Sequence, residues 1–285
     1  MTQIPYYSKK MQRQRYRLIT LFALGLLCAS CTTESKARFT IVTTTSMLGD
    51  AVQNIVQDHA RVVTLMGPGV DPHAYKATQQ DVSHLMQADI IFFNGLHLEG
   101  KMAEILQKLR KRRPVYAASD ALTEIQLLID SHFPYGIDPH IWFDVSLWQQ
   151  VVQHLSQQLQ AADPALAAQY QANTAQYLQQ LAALHTATQQ AIQQIPTPQR
   201  VLITAHDAFG YFGRAYGLKV RGLQGLSTVS ECGLKDVTEL VKFIIQRNIK
   251  ALFLETSVPD RPLKAVVEGC QQRGHPVAIG GYLYS

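Results

Sequence analysis

This chain of 285 residues has few long apolar runs, only four cysteines and, beyond its first 30 residues, no excess of basic over acidic residues. The apolar stretch near its start, Leu18 to Leu27, is short for a bilayer span, which needs about 20 residues. Five basic residues and no acidic residue precede that stretch, and the small residues Ala29 and Ser30 follow it. This order predicts an export signal over residues 1–30 and favours it over a transmembrane segment.

The end of this leader carries a lipidation pattern. Cys28-Ala-Ser-Cys31 resembles a bacterial lipobox, so Cys31 is expected to become the lipid-modified first residue of the mature chain. Cys28 stands where such signals usually place leucine, and an uncleaved anchor is therefore the alternative. If Cys31 is lipid-modified, residues 31–38 link the lipid anchor to the folded protein.

Beyond the leader the chain has no excess of positive charge. The 26 lysines and arginines include five within residues 1–30, so the remainder equals the 21 aspartates and glutamates. The densest basic run, Lys108 to Arg113, fits a solvated helix end. Without a basic stripe and interleaved aromatic residues, the sequence gives no support to nucleic-acid binding.

Only two of the four cysteines, Cys232 and Cys270, lie outside the leader. An exported protein could pair them in a disulfide. Two buried thiols are equally compatible with the sequence, because the spatial separation of the pair cannot be read from their spacing.

The usual catalytic signatures are also missing. The sequence has no His-Glu-x-x-His motif, no nucleophile elbow and no phosphate-binding glycine loop, and Gly67-Pro-Gly69 is more typical of a turn. A zinc-dependent hydrolase is therefore a weaker alternative than a binding protein. A surface adhesin anchored by lipid is a third class, which adhesion independent of metal would favour.

What the sequence does contain is a repeated Asp-Pro-His. It occurs as Asp71-Pro72-His73 and Asp138-Pro139-His140, and a third histidine, His206, ends the apolar run from Val201. Imidazole nitrogen is a common ligand for borderline divalent ions. Intervals of 67 and 66 residues exclude a local motif, so tertiary folding would have to assemble any shared metal site.

The order of apolar patterns predicts an α/β protein with parallel sheets flanked by helices, in two lobes. Short β-rich runs alternate with amphipathic stretches in both halves of the chain. Four runs fall in residues 39–160 and four in residues 198–285: 39–44, 62–66, 90–93, 115–117, 201–204, 218–220, 251–254 and 277–279.

The segment between these halves has no strand signal. From Asp163-Pro164 to Ile195 it contains no glycine and no further proline, which predicts one long helix of about 48 Å. Residues 161–197 would thus connect the lobes as a strut. Such a strut permits only small lobe motions, so a site between the lobes would be nearly preformed.

At these residues the chain resembles the TroA/PsaA-like metal-binding receptors of bacterial manganese and zinc ABC transporters. The resemblance extends over about residues 39 to 285, and the order and spacing of its motifs make it specific. The matching blocks are Met66–Tyr75, Phe93–Glu99, Asp138–Asp144, Thr204–Tyr211, Gly225–Glu231 and Phe253–Pro259.

The resemblance implies that His73, His140 and His206 bind the metal, and that a second-lobe carboxylate is the fourth ligand. Family members continue past a segment like Gly280–Ser285 into that aspartate and a final helix, so the second lobe and its site are expected to be incomplete here. Glu231 and Glu255 are second-lobe carboxylates that could substitute or support the ligands from behind.

The implied function is capture of Mn²⁺ or Zn²⁺ outside the inner membrane and delivery to an ABC permease with its cytoplasmic ATPase. The resemblance also implies a monomer without enzyme activity, held by lipid in the periplasm or at the outer face of the cytoplasmic membrane. A shell of imidazoles and one carboxylate does not select one metal, and free zinc should outcompete manganese on the Irving-Williams order.

Overall fold

The computed structural model describes residues 39–130, 136–229 and 232–284. The predicted export signal, the predicted lipidation site Cys31 and the candidate carboxylate Glu231 lie outside these residues. Within the described part of the chain, no helix combines the length and the apolarity that a membrane crossing requires.

The first lobe is a four-stranded parallel sheet with helices on both faces, and its strands are Thr40–Thr45 (β1), Arg61–Met66 (β2), Ile90–Phe93 (β3) and Val115–Ala117 (β4). The strand order is β2-β1-β3-β4. Its helices are Ser46–Val56 (α1), Gln79–Gln87 (α2), Ala103–Arg110 (α3) and Val145–Ala162 (α4).

Successive residues of β1 show how both faces of this sheet are buried. Ile41 packs in the cluster that contains Leu48 of α1 and Leu155 of α4. Val42, one residue on, packs with Leu85 of α2 and Leu106 of α3 on the other face. Because successive side chains of a strand point to opposite faces of the sheet, the continuous apolar run of β1 packs into a core on each face.

The connecting segment forms one long helix, Ala167–Gln193 (α5), after a 3-10 turn at Pro164–Leu166. Its 27 residues span about 40 Å, which is shorter than the sequence predicts. The difference arises because the 3-10 turn takes up Pro164–Leu166 and the α-helix ends at Gln193, two residues before Ile195. On this helix Tyr170 and Leu181 are buried, whereas Leu184 is exposed.

The second lobe has two parallel strand pairs side by side. The pairs are Val201–His206 (β5) with Lys219–Gln224 (β6), and Ala251–Glu255 (β7) with Ala278–Leu283 (β8). Its helices are Gly210–Tyr216 (α6), Leu234–Gln246 (α7) and Arg261–Gln271 (α8). The strand β6 extends beyond the predicted run 218–220 because Gly222 interrupts the β-branched pattern without ending the pairing.

No disulfide joins Cys232 to Cys270, both of which the structure describes. Cys270 is fully buried in the core formed by α7, α8 and the strands of the second lobe. Burial raises the pKa of its thiol. Its position therefore matches the buried-thiol alternative.

Candidate metal centre

The three histidines singled out by the sequence lie together between the lobes. His206 is the last residue of β5, His73 lies in the turn after β2, and His140 precedes a short turn before α4. All three are buried, and each offers one ligand atom within 4.8 Å of the others. Two of these atoms, Nε2 of His73 and Nε2 of His140, are 3.1 Å apart.

This spacing fits ligands of one ion. Two imidazole nitrogens bound tetrahedrally to Zn²⁺ at about 2.0–2.1 Å stand about 3.3 Å from each other. The carboxyl ends of parallel strands are also where α/β proteins bind ligands. Among the described residues, this trio is the one group of histidine, cysteine and acidic side chains with such geometry.

A carboxylate fixes the ring of His140 from behind. Its Nδ1 lies 2.7 Å from Oδ1 of Asp138, and its backbone N–H donates to the same oxygen at 2.9 Å. The ring therefore directs Nε2 toward the other two histidines. Burial raises the pKa of Asp138 to about 7, although the backbone hydrogen bond from His140 opposes this shift.

His206 is held by Glu255, at the end of the neighbouring strand β7. The backbone N–H of His206 donates to Oε1 of Glu255 at 2.9 Å, and Nδ1 of the ring lies 2.6 Å from Oε2 in a less well aligned contact. Strand β7 lies beside β5 and thereby brings Glu255, one of the two carboxylates that the sequence offers as a substitute or support, to this ring.

His73 is held through its backbone rather than its ring. Its N–H donates to Oδ1 of Asp71 at 2.9 Å, while Oδ2 of Asp71 accepts a hydrogen bond from Thr228 at 2.5 Å. Thr228 belongs to the second lobe, so this aspartate links the lobes beside a candidate ligand. The sequence places Thr228 in a motif but gives no signal for this contact.

Burial keeps two of the rings in the form that binds metal. The pKa of His73 is lowered to about 3, first by burial and then by the neighbouring His140 and His206. The pKa of His140 is lowered well below its usual value, again first by burial. Both rings are neutral at pH 7 and keep a lone pair for a cation.

A buried loop supports both first-lobe histidines. The side-chain amide of Asn94 donates to the carbonyl of Pro139, next to His140, at 2.9 Å. A Cβ added at Gly100 would lie 2.7 Å from the carbonyl oxygen of His73, so only glycine fits this approach. The sequence shows Phe93–Glu99 as a motif without indicating this role.

The buried side chain of Glu99 holds this loop together by hydrogen bonds. Its carboxylate accepts hydrogen bonds from Thr44 at 2.8 Å and from the backbone N–H of Asn94 at 2.5 Å and of Gly95 at 3.2 Å. Burial raises its pKa, while these donors oppose the shift. The end of β1 and the loop are thereby held together behind the histidines.

The sequence offers two second-lobe carboxylates, Glu231 and Glu255, as substitutes for the fourth ligand or as supports of the histidines. Glu255 is buried, and both of its oxygens contact His206, so it stands behind that ring. Glu231 lies outside the described residues.

Comparison with known proteins bears on what this centre does. The family model described as "ZnuA: Zinc-uptake complex component A periplasmic" matches residues 41–284. The chain is 44% identical over 282 residues to the manganese-binding lipoprotein MntA of Bacillus subtilis (strain 168), which covers 96% of this chain and 90% of MntA.

It is also 46% identical over 245 residues to the zinc-binding protein TroA of Treponema pallidum, with 86% of this chain and 79% of TroA covered. The solved structure of that periplasmic zinc-binding protein superposes with a TM-score of 0.84 over 87% of this chain and 89% of the other. The manganese ABC transporter substrate-binding lipoprotein PsaA of Streptococcus pneumoniae is 31% identical over 258 residues, covering 87% of this chain and 83% of PsaA.

Proposed function

The chain belongs to the family of periplasmic zinc-uptake components, and we propose that it is the receptor that captures Mn²⁺ or Zn²⁺ for an ABC importer. The observation that carries this proposal is the meeting of His73, His140 and His206 between the lobes, with ligand atoms within 4.8 Å. These three residues would bind the ion as transported substrate.

The supporting carboxylates define the chemistry of binding. Asp138 and Glu255 each face the ring nitrogen of a histidine that points away from the centre, an arrangement that orients the ring and raises ligand basicity. Imidazole ligands suit Zn²⁺, whereas Mn²⁺ prefers oxygen ligands. We therefore expect tighter binding of zinc than of manganese in solution.

The names of the relatives favour transport over the surface adhesin and the zinc hydrolase. They describe metal-binding and substrate-binding lipoproteins, so the family is one of binding components rather than of enzymes. We propose that the chain is lipid-anchored at Cys31, outside the inner membrane, and delivers its ion to a permease driven by a cytoplasmic ATPase.

Metal analysis and titration calorimetry of the purified protein test this function. One equivalent of Zn²⁺ or Mn²⁺ should bind to the unaltered chain, and His140→Ala should weaken that binding strongly. Stoichiometric binding unaffected by His140→Ala would exclude the assigned site. Binding of neither metal by the unaltered chain would exclude the receptor function.

A further inference from the structure

Among the described residues, two sets of hydrogen bonds join the lobes near the candidate metal centre. In the first, the buried phenol of Tyr211 on α6 donates to the carbonyl of Asp138 at 2.9 Å and accepts the backbone N–H of Leu128 at 3.1 Å. Because Tyr211 is fully buried, water does not compete for these hydrogen bonds. This link is a fixed part of the interface.

The second link lies at the solvent-exposed edge of the interface between the lobes. The hydroxyl of Thr228, in the loop after β6, donates to Oδ2 of Asp71 at 2.5 Å. Thr228 is only partly buried, and the next residue, Val229, is 66% exposed. This contact can therefore open to water without disturbing the core of either lobe.

Asp71 connects Thr228 to a candidate ligand, because it is hydrogen-bonded to both residues. Its other oxygen, Oδ1, accepts the backbone N–H of His73 at 2.9 Å. His140 and His206 each have a carboxylate beside the ring Nδ1, whereas the carboxylate of Asp71 accepts the backbone N–H of His73. His73 is also the most accessible of the three, at 6% exposure against 1% and 3%.

We propose that Thr228 is a positioning residue that holds His73 in place through Asp71 and thereby slows release of the bound ion. The proposal rests on the receptor function and extends it to the step at which the cargo leaves. An ion bound between lobes leaves only when a ligand moves aside, and His73 is the ligand whose support reaches across to the other lobe. A hydroxyl that donates to a carboxylate makes a strong, charge-assisted hydrogen bond, so its loss should mainly speed dissociation.

The chain offers a matched set of variants at this loop. Thr228→Val removes the donor and keeps the side-chain shape, and Thr228→Ser keeps the donor. Ser227→Ala is the control, because the hydroxyl of Ser227 only accepts the backbone N–H of Val229 within the same loop, at 3.3 Å.

The full-length protein, loaded with Zn²⁺, is mixed with a chromophoric chelator in a stopped-flow instrument. Thr228→Val should release the ion about tenfold faster, as expected for loss of a hydrogen bond to a charged group. Thr228→Ser and Ser227→Ala should stay within about twofold of the unaltered protein. An unchanged release rate in Thr228→Val, or equal acceleration in the serine variant, would overturn the proposal.

Amide hydrogen exchange provides a readout that does not depend on metal. In the metal-free protein, the amide of His73 should exchange faster in Thr228→Val than in Thr228→Ser, since the acceptor Asp71 is then free to move. Equal exchange in these two variants would also overturn the proposal. Failure of the unaltered protein to bind metal would count against the receptor function, while the exchange measurement still decides the positioning role.

Discussion

Glu255 contacts His206 twice, through the backbone N–H at 2.9 Å and through the ring Nδ1 at 2.6 Å, although 49 residues separate them. The two residues end the neighbouring strands β7 and β5. The carboxylate therefore sets both the position and the direction of the imidazole, and Nε2 is left for the ion.

Glu255→Gln should weaken metal binding about 10- to 100-fold and leave one ion bound per chain. The amide keeps the shape of the side chain but loses the negative charge behind the ring. Titration calorimetry with Zn²⁺ measures the change, and Glu239→Gln on the exposed surface is the control. Unchanged affinity would contradict the supporting role, and loss of an oxygen ligand by X-ray absorption would show direct coordination instead.

Alanine at each of the three central histidines should reduce metal affinity by at least about 100-fold, because a lost ligand costs no less than a lost supporting contact. Competition with a chelator of known affinity measures this for His73→Ala, His140→Ala and His206→Ala. The exposed His59 offers a control, and His59→Ala should bind like the unaltered protein. A central variant that matched this control would remove that histidine from the site.

Gly222→Ala should destabilise the second lobe by about 1–3 kcal/mol and also weaken metal binding. A Cβ at this position of β6 would lie 2.4 Å from the nitrogen of Asp207 and 2.5 Å from the carbonyl carbon of His206. Urea unfolding and metal titration measure the two effects. Gly225→Ala is the control, since its Cβ would meet nothing within 4 Å, and equal effects of the two variants would contradict the crowding argument.

Asn94→Ala should lower the free energy of unfolding by about 1–3 kcal/mol, because the buried carbonyl of Pro139 loses its donor. The backbone beside His140 would also lose a support, so metal affinity should fall. Denaturant unfolding and calorimetry test both effects. The amide of Asn54 bonds only within its own helix, and Asn54→Ala should change neither quantity by a comparable amount.

His154 makes stability sensitive to acid independently of the metal centre. Burial lowers its pKa in the folded protein, and its Nε2 has no hydrogen-bond partner among the described residues. The folded state therefore favours the neutral ring. The contribution of His154 to the free energy of unfolding is fully present above the pKa of about 6.5 that the ring has in the unfolded chain. It is lost as the pH falls from there through the lower pKa of the folded protein.

His154→Phe should accordingly lose less stability than the unaltered protein between pH 7.5 and pH 5. The phenyl ring keeps the contact with Tyr116, whose ring centre lies 6.4 Å from that of His154. Urea unfolding of the metal-free proteins at both pH values measures the difference. An identical loss in both proteins would exclude a contribution from His154.

The first lobe and the histidine trio illustrate how much the sequence predicts. Alternating β-rich and amphipathic runs indicated parallel sheets with helices, and the structure has them at nearly the expected positions. The ends of the long helix differ: the sequence places its start at Asp163-Pro164, whereas a 3-10 turn occupies Pro164–Leu166 and the α-helix begins at Ala167. The division into residues 39–160, 161–197 and 198–285 stays a prediction.

The sequence by itself determined which residues form the candidate metal centre. The repeated Asp-Pro-His and the histidine at the end of an apolar run identified His73, His140 and His206 before any contact was known. The repeat points to His73 and His140, and the position of His206 at the end of a strand adds the third, since parallel strands bring their carboxyl ends to one edge of a sheet.

Only the tertiary structure decided which groups hold those histidines in place. Glu255 reaches His206 because β5 and β7 lie side by side, and Thr228 reaches Asp71 because the lobes meet beside the centre. Hydrogen bonds require donor and acceptor within about 3 Å, and no pattern along the chain encodes such a distance between residues 49 or 157 positions apart.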